Sequence, residues 1–112
     1  MASALKELVT AQYAPAVQTA LYTSPASTYT RIDKLSVTNI TAGAVTISIN
    51  LVPSGGAAGS SNLTTQAKSV AAGQTWNSPN EYGHVLNPGD AISVIASAGS
   101  SLVIAVGGTV IS

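Results

Sequence analysis

The feature that most constrains this chain is a hydrophobic pattern that alternates from one residue to the next. The clearest case is segment 45–51, where valine, isoleucine and leucine hold the odd positions and threonine, serine and asparagine the even ones. Successive side chains of a strand point to opposite faces, so this alternation predicts a half-buried β-strand. Segments 92–96 and 102–106 show the same period and predict two more strands.

A longer strand is predicted from Tyr29 to Asn39. Within it Ile32 is out of phase with Leu35 and Val37, which predicts a β-bulge near Asp33. Shorter candidate strands lie at 5–11, 17–23 and 69–76, the last interrupted by glycine.

Turn residues separate these strands, most clearly in the run Asn87-Pro88-Gly89-Asp90. Proline presets the second position of a type II turn and glycine supplies the positive φ of the third, so a strand is expected to start at Ala91. Segment 53–62 contains only proline, serine, glycine, alanine and asparagine. It predicts an exposed, mobile loop without a side chain large enough to anchor it.

Short strands with no long helix between them predict an all-β fold, an antiparallel β-sandwich of jelly-roll or immunoglobulin-like type with about seven to eight strands. The 112 residues fit one domain, so 1–112 is interpreted as a single sandwich. Residues 1–16 are interpreted as an N-terminal arm reaching a neighbouring subunit, with a strand of the sandwich as the alternative. A short helix capped by Ser3 is a further alternative for the first ten residues.

Charge is scarce, with four basic and four acidic residues, and 7% of the chain is charged against roughly 25% in ordinary soluble domains. Such a surface does little to keep copies apart, which favours homo-oligomers or larger assemblies. The alternative is a neutral domain covered in hydroxyl groups. No basic stripe is present, so direct nucleic-acid binding is not expected. The N-terminal segment predicts no secretion leader, and no apolar run is long enough for a membrane span, so synthesis in the cytoplasm is expected.

Residues that carry chemistry are also scarce. The absence of cysteine excludes disulfides, thiolate metal sites and a cysteine nucleophile. The one histidine, His84, has Glu81 and Asp90 nearby in sequence, which is a weak metal pattern, and the commoner role is a hydrogen-bonded loop histidine. No nucleophile elbow or phosphate loop is present. We therefore expect no enzyme, no catalytic residue, no cofactor and no metal site.

Aromatic residues supply the candidate inter-subunit contacts, because tyrosine and tryptophan are enriched in interfaces. These candidates are Tyr13, Tyr22, Tyr29, Trp76 and Tyr82. Trp76 and Tyr82 also flank the polar loop 77–81, an arrangement found in sugar-binding sites. The alternative for the single tryptophan is a place in the core.

Two segments resemble small β-sandwich virion proteins of tailed bacteriophages. They are LYTSPASTYTRIDKLSVTN at 21–39 and LNPGDAI at 86–92, and the resemblance extends over about residues 21–112. It implies a structural protein of the phage particle, such as a decoration or cement protein that binds the major capsid protein or other virion proteins. Tail, collar or fibre-attachment components are the alternative, and a carbohydrate-binding module is a second. The compact chain, without a coiled-coil stalk or fibre repeat, favours the head.

Overall fold

The computed structural model describes residues 3–112, which form nine β-strands and one short 3₁₀ turn, Ser60–Asn62. The strands are β1 (Ser3–Tyr13), β2 (Thr19–Thr23), β3 (Tyr29–Asn39), β4 (Val45–Val52), β5 (Leu63–Val70), β6 (Thr75–Asn77), β7 (Val85–Leu86), β8 (Ala91–Ala96) and β9 (Leu102–Ile111). No helix in this described part is long and apolar enough to cross a membrane.

The strands form two antiparallel sheets that pack face to face. Sheet A has the order β1-β9-β3-β6, with β7 also paired to β3, and sheet B has the order β2-β8-β4-β5. The predicted all-β sandwich is therefore confirmed, with nine strands where seven to eight were expected. The shortest, β6 and β7, have three and two residues.

The core lies between the sheets and is made of the inward side chains of the alternating segments. Ile47 and Ile49 of sheet B and Ile32 and Ile104 of sheet A are each 0% exposed. Because interiors pack at the density of organic crystals, these interlocking branched side chains fix the distance between the sheets. The alternation in the sequence thus identifies the buried face of β4 and β9.

Two local predictions are confirmed. The pairing of β3 with β9 shifts register between Ile32 and Lys34, which places a bulge at Asp33. Gly89 has a φ of +89°, as the third position of the predicted turn requires, and β8 starts at Ala91. The bulge lets Ile32 and Leu35 both face the core, at 0% and 1% exposed.

The predicted strand over 69–76 is wrong. Residues 71–74 form a turn in which Gly73 has a φ of +72° and its N–H donates to the Asn39 carbonyl at 3.0 Å. The chain therefore crosses here from β5 in sheet B to β6 in sheet A.

The helical alternative for the N-terminal segment is also wrong, since Ser3–Tyr13 form β1 and pair along β9. Leu8 and Val9 are buried against the core, and this tertiary contact outweighs a weak helix propensity. In the single chain residues 3–13 of the predicted arm thus lie within sheet A. Met1 and Ala2 lie outside the described residues, and a role of segment 1–16 as an arm in an assembly stays a prediction.

Candidate contact surface

The outer face of sheet A, which points away from the core, carries a group of exposed apolar side chains at one end. In β9 the even-numbered residues Leu102, Ile104 and Val106 are buried, so the odd-numbered residues face outward. Leu5 of β1 lies opposite Thr109 and therefore faces outward as well. Val85 of β7 lies opposite Arg31, which in turn lies opposite Thr109.

Four large hydrophobic side chains form what we call the end patch. They are Leu5, Tyr29, Tyr82 and Val85, exposed by 86%, 49%, 68% and 56% respectively. Tyr82 lies in the loop before β7, and this loop is held against β3 because the Gly83 N–H donates to the Ile32 carbonyl at 2.7 Å. Single exposed hydrophobics are ordinary, whereas several at one end of a sheet make that end a candidate contact surface.

An ion pair lies within the end patch, because Thr109 and Arg31 separate Leu5 from Val85 across sheet A. Arg31 Nε donates to Asp33 Oδ1 at 2.7 Å, and the Thr109 hydroxyl donates to Asp33 Oδ2 at 2.8 Å. The hydrogen bond and charge of Asp33 raise the pKa of Arg31, and the hydrogen bonds from Arg31 and Thr109 lower the pKa of Asp33. These two charges are thus paired within the chain, so a partner that covers the end patch meets no unpaired charge from them.

The outer face of sheet B is built differently. Asn50 and Ser93 point away from the core, yet they are only 2% and 4% exposed. Gln18 covers them, donating to the Ser93 hydroxyl at 2.7 Å, while Asn50 donates to the Gly59 carbonyl at 2.9 Å and to Asn62 Oδ1 at 2.6 Å. This face therefore buries its own polar groups under the chain that follows β4.

These contacts correct the expectation that segment 53–62 has no anchor. Asn62 closes the segment on itself, since its side chain accepts from the Gly59 N–H at 3.1 Å and donates to the Ala57 carbonyl at 2.9 Å. The segment is exposed over most of its length, as predicted, but Asn50 and Asn62 tie it to sheet B.

The five predicted contact residues lie in different places. Tyr29 and Tyr82 are both exposed and are counted in the end patch. Tyr13 is on the same outer face at the opposite end of β1 and is 51% exposed. Tyr22 is half-buried between the sheets, with its hydroxyl 3.0 Å from that of Thr30.

Trp76 is the fifth predicted contact residue. It is half-buried and packs against the core, as the alternative of a core position for this residue predicted. The Lys68 ammonium lies 5.5 Å from the centre of its ring. A contact role for each of the five residues stays a prediction.

Leu5 and Val85 were missed by sequence reasoning. Val85 belongs to a strand of two residues, which is too short to give a periodic signal. Leu5 lies in a segment that offered a helix as an alternative, so its face was undetermined.

His84, Glu81 and Asp90, the three residues considered as metal ligands, do not form a metal-binding group in the described part of the chain. Glu81 is 0% exposed, and its carboxylate accepts hydrogen bonds from Thr64 at 2.5 Å, Thr65 at 2.8 Å and Ser78. Thr64 and Thr65 belong to sheet B, and Ser78 follows the last residue of β6 in sheet A. Glu81 therefore ties the two sheets together.

Asp90 has a local role, because its carboxylate accepts from the Ser54 N–H at 2.9 Å and the Asn87 N–H at 3.0 Å. The described residues contain no group of three or more histidine or acidic side chains placed to hold a metal. Every buried side-chain nitrogen and oxygen of this part has a hydrogen-bond partner. Glu81 and Asp90 thus have structural roles, whereas the His84 side chain is exposed.

No protein-family model matches this chain, and neither does any curated protein sequence. A solved structure described as "Structure of infectious bursal disease virus Gx strain" is similar, with 14% identity and a TM-score of 0.45. The similarity covers 97% of this chain and 30% of the viral chain, so this chain spans less than a third of its length. At this identity and TM-score the likeness carries no argument about function.

Proposed function

We propose that this chain is a non-enzymatic structural protein of a phage virion, and that it decorates the outer head shell. The observation that supports this proposal is the end patch, which places exposed aliphatic and aromatic side chains at one end of sheet A. The segments that resemble phage virion proteins support it from the sequence.

The physical role is attachment. Burial of apolar surface stabilises an interface by about 25 cal/mol per Å², and aromatic anchors contribute most where water is excluded. A protein that binds only the assembled shell shifts the equilibrium towards assembly, and icosahedral symmetry repeats each contact over many sites. No catalytic group is needed for this role.

The major capsid protein is the proposed partner, and a tail, collar or fibre attachment site is the alternative. The compact sandwich without a stalk favours the shell. A carbohydrate-binding role receives less support, because Trp76 is half-buried and has Lys68 over its ring. A sugar platform needs a free aromatic face.

The experiment that tests the proposal adds purified protein to phage particles that lack it and images the particles by electron microscopy. Density distributed over the shell is the expected result. Density confined to the neck or tail would overturn the shell location, and the absence of added density would overturn the virion proposal.

A matched pair of variants tests the end patch itself. Val85→Ser removes an aliphatic side chain that is 56% exposed within the patch, and Ile40→Ser removes one that is 54% exposed at the opposite end of β3. Because the lost burial is worth roughly 1.4 kcal/mol, we expect shell binding to weaken about tenfold for Val85→Ser and to stay unchanged for Ile40→Ser. Equal binding by the two variants in a co-sedimentation assay would contradict the patch.

A further inference from the structure

The first strand forms an open edge of sheet A in the described chain, and its pairing with β9 is regular from Ser3 to Glu7. β1 has eleven residues and pairs on one side only, with β9. Other terminal strands offer less, since β2 has five residues and β6 has three. β5 has eight residues, but Ala67 near its middle has a φ of +47°, which interrupts the regular alternation of its edge. The β1 edge is therefore the most favourable site in the described chain for adding a strand.

Hydrogen bonds at one end of β9 show which of its backbone groups face β1. The Ala14 N–H donates to the Leu102 carbonyl at 2.7 Å, and the Ile40 N–H donates to the Ser101 carbonyl at 3.1 Å. In an antiparallel strand successive residues direct their backbone groups to opposite sides. Even-numbered residues of β9 therefore bond to β1, and odd-numbered residues bond to β3.

The same alternation identifies the free groups of β1. Ala4 and Lys6 lie opposite even-numbered residues of β9, so their backbone groups are used within sheet A. The backbone N–H and C=O groups of Ser3, Leu5 and Glu7 consequently point to the open edge. This arrangement offers a regular row of unpaired donors and acceptors.

We propose that a second copy of this chain pairs along this edge, antiparallel and centred on Leu5. Leu5 of one copy then faces Leu5 of the other, Ser3 faces Glu7, and Ala4 faces Lys6. The outward backbone groups of Ser3, Leu5 and Glu7 are all satisfied in this register.

Charge and exposure both favour a second copy as the occupant. A shift that centres the pairing on Lys6 would place two lysines directly opposite each other, and like charges opposite each other destabilise a sheet. Centring on Leu5 faces Lys6 with the small Ala4 and places two leucines, each 86% exposed in the single chain, side by side. The chain has a net charge of zero, so two copies do not repel each other.

The geometry also limits the pairing and orients the copies. The register of β1 on β9 shifts after Glu7, and this bulge ends the regular edge. The two-fold axis is perpendicular to sheet A, so both end patches face the same way, side by side. The inference does not depend on the proposed function, because it concerns the purified chain in solution.

Disulfide trapping tests the pairing, since the chain contains no cysteine. Hydrogen-bonded antiparallel partners have Cα atoms about 5.5 Å apart, which suits a disulfide. We expect purified Leu5→Cys to form disulfide dimers roughly tenfold faster than Tyr13→Cys, because pairing raises the effective thiol concentration. Tyr13→Cys is the matched control, on the same strand and face but beyond the bulges. Equal rates for the two variants would overturn the proposal.

Two further variants test the register and the backbone pairing. A mixture of Ser3→Cys and Glu7→Cys should form mixed disulfides faster than either variant forms dimers alone, and dimers from Ser3→Cys alone at the same rate would overturn the register. Leu5→Pro removes an outward N–H that β9 does not use. We expect it to abolish concentration-dependent dimers in sedimentation velocity while the circular dichroism spectrum is retained; dimers that persist would overturn the pairing.

Discussion

The outer faces of the two sheets differ in whether the chain itself covers their outward side chains. On sheet B, Gln18 and the segment that ends at Asn62 fold over Asn50 and Ser93, and the polar groups of that face are satisfied within the chain. On sheet A, Leu5 and Val85 stay in contact with water. The first arrangement contributes to the stability of the single chain. The second contributes little to the stability of the single chain, because these side chains remain exposed.

The largest expected effect on stability comes from comparing two adjacent glycines of β9. Gly108 faces the core side of sheet A, and Gly107 faces its outer side. A Cβ at position 108 would lie 2.2 Å from the Arg31 carbonyl oxygen, whereas a Cβ at position 107 has no neighbour within 4 Å. We expect Gly108→Ala to lower the free energy of unfolding by about 3 kcal/mol, and Gly107→Ala to leave it unchanged or raise it by up to about 1 kcal/mol. Urea denaturation measures both, and equal values would refute an open outer face at Gly107.

The next effect concerns the covered face of sheet B. Asn50→Ala leaves the Gly59 carbonyl and Asn62 without a buried donor, so we expect the free energy of unfolding to fall by about 2 kcal/mol. Thr46→Ala is the control on the same face of β4, because the described residues give its hydroxyl no hydrogen-bond partner. We expect Thr46→Ala to lower the free energy of unfolding by about 0.5 kcal/mol. A loss for Asn50→Ala no larger than the control would show that the covering segment adds no stability.

The smallest effect belongs to the ion pair of Arg31 and Asp33 within the end patch, because both side chains are in contact with water. The pKa of Asp33 is lower in the folded chain than its usual value of 3.8, so the stabilisation is present above that value and is lost as the pH falls through the folded pKa. We expect Asp33→Asn to be slightly less stable than the natural chain at neutral pH, and the difference to disappear in strong acid. Thermal unfolding from neutral pH to below 3.8 checks this, and a difference that grows in acid would contradict the assignment.

Sequence reasoning succeeded where the determinants are local. The bulge at Asp33 follows from a phase change within one strand, and the turn at Gly89 follows from the adjacent proline. It failed where contacts are distant in sequence. The turn at Gly73 is fixed by a hydrogen bond to Asn39, and no periodicity within 69–76 contains that information.

The candidate contact surface could be predicted only in part from the sequence, because it also depends on contacts between residues that are distant in sequence. Tyrosine composition indicated Tyr29 and Tyr82, but composition cannot separate them from Tyr22, whose hydroxyl lies beside that of buried Thr30. Leu5 is distinguished only by its position opposite Thr109 of β9, a pairing that spans nearly the whole chain. Exposure of a strand residue depends on its register, and the register of an edge strand depends on its neighbour.

The pairing of β1 with β9 also determines where a tag or foreign domain can be fused without obstructing the end patch. Ser3 lies opposite Ile111, so a tag or foreign domain attached at either position emerges beside the end patch and would obstruct it. Gly99 lies in the exposed turn that precedes β9, about 30 Å from Ile111 along that strand. An insertion there would display a peptide at the far end of the molecule and leave the apolar surface accessible.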